Sequence, residues 1–182
     1  LPGGVADVVA AAREQGQLIL CYAGSHGLSN ALPTLVAAAE RVADLPVLVV
    51  LVGDGPVKPE LVAYVQARPE LKHIVFVPPV DKEYMPALMS AMDCFYMGAP
   101  RKGLYRFGVC PNKLFEYMAA SHPVLYAIEA GNNPVEEAGC GITVPPEDAD
   151  ALAAAIRALA AMGPEERDEM GRRGFDYVVK HH

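Results

Sequence analysis

The sequence predicts an α/β fold, a doubly wound parallel sheet covered by helices on both faces. Three features predict it. Six short β-rich runs are continuously apolar rather than alternating, as in strands buried on both sides. Between them lie amphipathic stretches of helical character, and the junctions from strand to helix carry Gly and Pro. Strands alternating with helices through right-handed crossovers build a parallel sheet with the chain wound over both faces.

The elements follow in order. "LILCYAG" at 18–24 reads as the first strand, and "SNALPTLVAAAERVA" from 29 as the helix after it. Residues 46–56 form a second strand ending in the turn "GDGP", with a helix over 58–68. The third strand falls in 73–80, with a helix over 82–92. Residues 93–99, 123–128 and 140–145 supply further strands, and helices fit 111–120, 133–138, 148–161 and 164–179. Leu152, Ile156 and Leu159 share one face of the Ala-rich segment, so that helix is expected to dock. With no repeat, linker or low-complexity tract, 1–182 reads as a single domain.

Bulk composition narrows the function. A chain of 182 residues with 52% hydrophobic and 20% charged residues can bury a real core. Its net charge of −7 speaks against nucleic acid as a partner, which asks for a basic patch, but permits a local cationic pocket. Cys21, Cys94, Cys110 and Cys140 are widely spaced and are expected as buried, reduced thiols of a reducing compartment. The longest strongly apolar run, 47–52, is far too short to span a bilayer. The chain starts at Leu1 and stops inside a helical pattern at His181 and His182, a pair either native or a tag remnant. It is therefore read as an excised fragment.

In such a sheet, ligands bind at the carboxyl ends of the strands, near the point where strand order reverses. The first strand-to-helix loop holds Gly24, Ser25, His26 and Gly27. Its glycines allow close backbone approach, and Ser29 or Asn30 can cap the next helix, whose free N–H groups suit a phosphate. Gly-x-x-Gly after a strand equally makes a plain turn. His26 is either an ordinary surface residue or a donor to phosphate or sugar. The loop is neither a G-x-G-x-x-G fingerprint nor a P-loop, so nicotinamide binding and nucleotide hydrolysis lose ground. His73 and His122 read as structural. Without a close His, Cys and carboxylate cluster no metal site is expected, and no nucleophile elbow is present. Asp54 fits a turn cap. Val77, before two prolines, is expected to leave its backbone groups free for a planar base.

The fourth loop, "GAPRKGLYRFGVCPNK" at 98–113, is long and cationic. Arg101, Lys102, Arg106 and Lys113 lie in it without a carboxylate, and Arg106 sits between Tyr105 and Phe107. Pro111 is placed at the first position of the next helix, which puts Asn112 and Lys113 in the turn with unpaired N–H groups. Asn112, Lys113 and Glu116 lie three or four residues apart and share a side of that helix. A cation beside backbone donors makes an anion site, and a carboxylate one turn deeper can accept hydrogen bonds from sugar hydroxyls. Diphosphate plus ribose is the ligand this describes; a solvated Lys–Glu pair is the plainer alternative.

With these residues in place, the chain resembles the C-terminal, donor-binding domain of retaining GT-B glycosyltransferases, a Rossmann-like half of that fold. It is most similar to family 4, and there to the lipopolysaccharide and O-antigen transferases related to fucosamine transferases. The resemblance runs through "YAGSHG", "LVGDGP", "IVFVPPVDKEYMPALMSAMD", "GVCPNKLFEYMAASHPVL", "EEAGCGITVPPEDADALAAAI" and "MGRRGFDYV". It implies that Lys113 approaches the donor diphosphate, Glu116 binds the ribose, and Gly24–Gly27 lies by the diphosphate. It also implies that the segment around Val77 offers backbone to the base. Three departures stand out. Gly108 occupies the place of a usual first glutamate, Ser25 that of a usual arginine, and Ser121 that of a usual glycine.

The function so implied is sugar transfer from a nucleotide-diphosphate sugar with retention, to a cell-surface polysaccharide or lipid-linked acceptor. Arg106 and Lys113 are the expected catalytic cations, stabilising the leaving diphosphate without a metal or other cofactor. The acceptor side is expected on an absent N-terminal domain of the same enzyme. The full-length protein is expected in the cytoplasm, peripheral at the inner face of the membrane. The rivals are a sugar-nucleotide epimerase of similar architecture, disfavoured by Gly108, and a non-catalytic nucleotide-binding module.

Overall fold

The computed structural model describes residues 1 and 3–181; Pro2 and His182 lie outside the described residues. The strands are β1 (Leu18–Ala23), β2 (Val47–Val52), β3 (Ile74–Val77), β4 (Cys94–Gly98), β5 (Val124–Ala127) and β6 (Gly141–Thr143). They form one parallel sheet in the order β3-β2-β1-β4-β5-β6. Order reverses between β1 and β4, so a crevice opens where the loops leaving these neighbours part. The α/β, doubly wound expectation holds.

The helices are α1 (Gly3–Glu14), α2 (Leu32–Glu40), α3 (Lys58–Gln66), α4 (Met85–Ser90), α5 (Asn112–Ala119), α6 (Pro134–Ala138), α7 (Ala149–Ala161) and α8 (Pro164–His181). They enclose two cores, one on each face of the sheet. Side chains alternate across β1: Leu18, Leu20 and Tyr22 face a core with Leu35 of α2, Leu61 of α3 and Ile156 of α7. Ile19, Cys21 and Ala23 face the other, with Val9 of α1, Leu88 of α4, Leu114 and Tyr117 of α5, and Val135 of α6. Strands β1 to β5 are apolar because both of their sides meet a helical layer, whereas β6, at the edge, ends in the exposed Thr143.

Several local expectations are corrected. Helix α1 occupies a segment where the sequence reading places no element; Val5, Val9 and Ala12 bury one side of it. Its paired glycines at 3 and 4 mask an otherwise helical pattern. Arg13, in its last turn, pairs with Asp93 at 2.6 Å, and the other Asp93 oxygen accepts from Ile19 N at 2.7 Å. Helix α2 starts at Leu32, because 28–30 form a 3-10 turn and Ala31 takes a left-handed φ of 46°. Ser29 and Asn30 therefore do not cap it. Cys110 is exposed, whereas Cys21, Cys94 and Cys140 are the buried free thiols expected.

Helix α8 closes the structure beyond β6. Its Gly171 passes so close to the Ser121 carbonyl that a Cβ there would overlap it. A Cβ on Gly174 would lie 3.0 Å from that of Cys140. Two glycines on one side let this otherwise polar helix settle onto the end of α5 and the start of β6.

Candidate functional site

At the switch point two loops are zipped together before any side chain is considered. Gly24 N donates to Val52 O at 2.9 Å, His26 N to Asp54 O at 2.8 Å, and Val57 N to His26 O at 3.0 Å. Gly53 and Gly55 permit this, with φ of 136° and 156°; a Cβ on Gly53 would overlap the Gly24 carbonyl. Asp54 Oδ1 accepts from Gly55 N at 2.8 Å, the turn-capping role expected of it. So held, Gly24 and Ser25 line the pocket wall.

The opposite wall comes from α5. Pro111 is its N-cap, in extended conformation with ψ of 113°, rather than its first helical residue. Asn112 and Lys113 are thus the first two residues of the helix, whose N–H groups have no partner within it. Tyr117, one turn in, anchors the helix to β1. Its hydroxyl accepts from Ala23 N at 3.0 Å and donates to Ala23 O at 3.1 Å, while its ring stacks on Phe95 at 4.3 Å.

Lys113 reaches from α5 across the end of β1. Its Nζ donates to Tyr22 Oη at 2.9 Å and sits 4.3 Å from the centroid of the Tyr22 ring. The ring face stabilises the ammonium, and the hydroxyl gives it an acceptor. Burial lowers the Lys113 pKa from the usual lysine value, opposed by the Glu116 carboxylate.

Lys113 and Glu116 line one pocket of about 400 Å³ with Gly24, Ser25, Asp54 and Val80. An apolar groove of about 680 Å³ between α4 and α5 adjoins it, sharing Lys82, Met85 and Glu116. One pocket thus offers a cation, backbone groups, a carboxylate one turn away and an apolar edge. That set matches an anion joined to a polyol and a flat apolar group. No group of three or more His, Cys, Asp or Glu able to hold a metal occurs among the described residues.

The structure brings together Gly24, Ser25, Lys113 and Glu116, with Asn112 exposed at the helix start. Other candidates lie elsewhere. The His26 ring is fully buried between Tyr22 and Phe76, with centroids at 6.0 and 6.3 Å, and neither ring nitrogen makes a well-formed hydrogen bond among the described residues. Burial, aided by Lys58, lowers its pKa. The hydrophobic pull on a ring beneath a tight loop turned inward a residue expected to face ligand. Gly27 precedes the 3-10 turn with an ordinary φ of −100°.

Val77 differs from expectation as well. Its carbonyl accepts from Gly53 N at 3.0 Å and from Lys58 Nζ at 3.5 Å, so it is not free; Pro79 and Val80 line the pocket instead. Arg106 lines a separate pocket of about 450 Å³ with Arg101, Lys102 and Glu129, its guanidinium 4.5 Å from the Phe107 ring centroid. Gly131 N donates to Tyr105 O at 2.9 Å, and Asn132 forms paired bonds with Val109 N and O at 2.8 and 2.9 Å. These bonds pin the loop with Arg106 away from Lys113.

Tyr22, Lys82 and Met85 are the site residues that sequence reasoning passed over. Tyr22 carried a signal: a phenol inside an aliphatic, doubly buried strand must find partners for its hydroxyl. Lys82 and Met85 carried none, since only the tertiary placement of the 82–84 turn and the start of α4 near α5 brings them to the pocket.

The fold is that of a glycosyltransferase domain. The chain belongs to the glycosyl transferases group 1 family, whose model matches residues 17–162. It is 31% identical over 143 residues to WcaI of Escherichia coli K12, which carries the name of a colanic acid biosynthesis glycosyl transferase. That match covers 76% of this chain and 34% of WcaI, so the chain spans about a third of that relative's length. WaaG, a glycosyltransferase involved in lipopolysaccharide biosynthesis, superposes with a TM-score of 0.72 at 19% identity, over 94% of this chain and 46% of WaaG. HepE of Anabaena, solved with UDP and glucose, gives 0.73 at 17% identity, over 94% and 47%. These two likenesses establish the GT-B type of fold.

Proposed function

We propose that this chain is the donor-binding domain of a retaining glycosyltransferase. Its donor is a nucleotide-diphosphate sugar, and its acceptor a cell-surface polysaccharide or a lipid-linked glycan. The observation that carries the reading is that Lys113 and Glu116 share one pocket with Gly24 and Ser25 at the switch point. The names of WcaI and WaaG, and the UDP and glucose in HepE, support it.

In this reading the diphosphate lies between the first turn of α5 and the Gly24–Ser25 backbone, within reach of Lys113. The ribose hydroxyls donate to Glu116, and Pro79, Val80 and Met85 give the base an apolar wall. As the glycosidic bond breaks, negative charge builds on the leaving diphosphate. The Lys113 ammonium and the N–H groups of the helix start are in place to meet it before the reaction begins, so little reorganisation is needed. The reading rests on Lys113 and backbone donors rather than on Arg106, which occupies a separate pocket. The acceptor and any general base belong to the remainder of a longer protein, which works in the cytoplasm at the membrane's inner face. This chain alone binds donor weakly and transfers no sugar.

Calorimetric titration of the chain with UDP and GDP tests the site. Lys113→Ala is expected to weaken binding of the preferred diphosphate by about 10- to 100-fold, the worth of a hydrogen bond to a charged group. Glu116→Ala is expected to weaken it by about tenfold. Binding of neither nucleotide, or an unchanged Lys113→Ala titration, would remove the assignment.

A further inference from the structure

Tyr22 has no part in the reading so far except as a neighbour of Lys113, yet its geometry is specific. The two residues belong to opposite sides of the sheet: Tyr22 packs in the core with α2 and α7, while α5, which carries Lys113, packs on the other. The lysine side chain joins them by crossing the end of β1 at Gly24, where a Cβ would overlap Nζ. Hydrogen-bond polarity at the phenol is forced. Ser25 O can only accept, so Tyr22 donates its proton there, at 2.7 Å. What Tyr22 turns to Lys113 is therefore an oxygen lone pair, and Lys113 donates. Burial pushes the Tyr22 phenol well above its usual range, so the proton stays in place.

We propose that Tyr22 is the positioning residue for Lys113, holding its ammonium over the end of β1, beside the Gly24 and Ser25 backbone, before the diphosphate arrives. The proposal rests on the reading of Lys113 as the diphosphate ligand. An ammonium has three N–H donors; one engaged by Tyr22 leaves two for phosphate oxygens. A lysine already held by ring and hydroxyl also loses less side-chain freedom on meeting an anion than a solvated one does.

Tyr22→Phe tests this with the ring retained. Ser25 O still accepts from Asn30 Nδ2 at 2.9 Å, so the loop keeps a partner. UDP binding is measured for wild type, Tyr22→Phe, Lys113→Ala and the double variant, with a pH profile for the first two. Tyr22→Phe is expected to weaken UDP binding about tenfold. It should have no further effect once Lys113 is alanine, the coupling that a shared role demands. The alkaline loss of binding should move to lower pH in Tyr22→Phe, since the ammonium has lost an acceptor; a merely structural tyrosine would leave it in place. Additive penalties, or an unmoved pH profile, overturn the proposal while leaving Lys113 as the ligand. An unaffected Lys113→Ala overturns the donor-site reading and this one with it. Should Tyr22→Phe fail to fold, Tyr22→Met replaces it in the cycle, because it also removes the hydroxyl while a flexible apolar side chain fills the space.

Discussion

Gly24 leaves vacant the space that the Lys113 ammonium occupies: a Cβ built on Gly24 would overlap Nζ and lie 2.8 Å from Cε. The glycine of the first loop thus serves a lysine from a helix almost ninety residues away, besides holding a φ of 150°. Gly24→Ala is expected to displace Lys113 and weaken UDP binding by about tenfold. Titration of UDP into the variant checks it, and undiminished affinity would show that the notch does not position the lysine.

Lys113 sets a pH limit on binding. Its pKa is lowered below 10.5 by burial, so the ammonium is lost earlier than in an exposed lysine as pH rises. UDP affinity should be full where Lys113 is charged and fall as pH climbs through its depressed pKa, in an interval that begins below pH 10.5. The same titrations on Lys113→Ala should be flat across that interval. A wild-type curve equally flat would mean that the ammonium does not meet the diphosphate.

His26 is a buried polar ring whose two nitrogens make no well-formed hydrogen bond among the described residues. Its folded pKa lies below 6.5, so as pH falls the unfolded chain takes up the proton first. Stability contributed by this group is therefore full above about pH 6.5 and declines as pH drops toward the folded value. His26→Leu should remove that part of the decline and raise stability at pH 7 by about 1 kcal/mol. Burial lowers the pKa of His122 too, so a residual acid slope should remain. Urea unfolding at pH 5 and pH 7 measures both effects.

Gly108 has φ of 100° and ψ of 158°, a region essentially restricted to glycine, and a Cβ there would lie 3.2 Å from Asn132 Oδ1. Restoring the glutamate of the resembling family is therefore not a simple gain. Gly108→Glu should cost about 1–3 kcal/mol in backbone strain and should not tighten binding of a UDP-sugar. Melting curves and titration with UDP-glucose decide this; a stable, tighter-binding variant would show that the loop readily adopts another path.

Ser121, which also departs from the family pattern, behaves in the opposite way. It follows the C-cap of α5 with a φ of 61°, the left-handed conformation in which glycine is favoured. Ser121→Gly should raise stability by about 0.5–1 kcal/mol, the relief of strain offset in part by the unfolded-state freedom of glycine. Its melting temperature checks the sign.

Sequence alone determined the layers and the chemistry of one helix start. Continuous apolar runs required strands covered on both sides, and spacing alone put Lys113 and Glu116 on one side of a helix expected to open at Pro111. These are local properties, carried by residues within a turn or two of each other. Helix α1 escaped because its glycines obscured a pattern that packing then enforced through Val5, Val9 and Ala12.

Only tertiary structure decided which loops meet. His26 and Val77 looked available because their loops end strands at the ligand side, but the zipping of 24–26 onto 52–57 turned one ring inward and occupied the other's carbonyl. Arg106 and Lys113 share a loop in sequence, yet Asn132 and Gly131 pin Arg106 into a separate pocket. Tyr22 and Lys113 are 91 residues apart and lie in different cores, and no periodicity joins them. Their contact exists because parallel strand order sets β1 beside β4 and Gly24 leaves a gap at the carboxyl end of β1. A sequence pattern reports which face a residue presents; which charge meets which acceptor is settled only when distant elements pack.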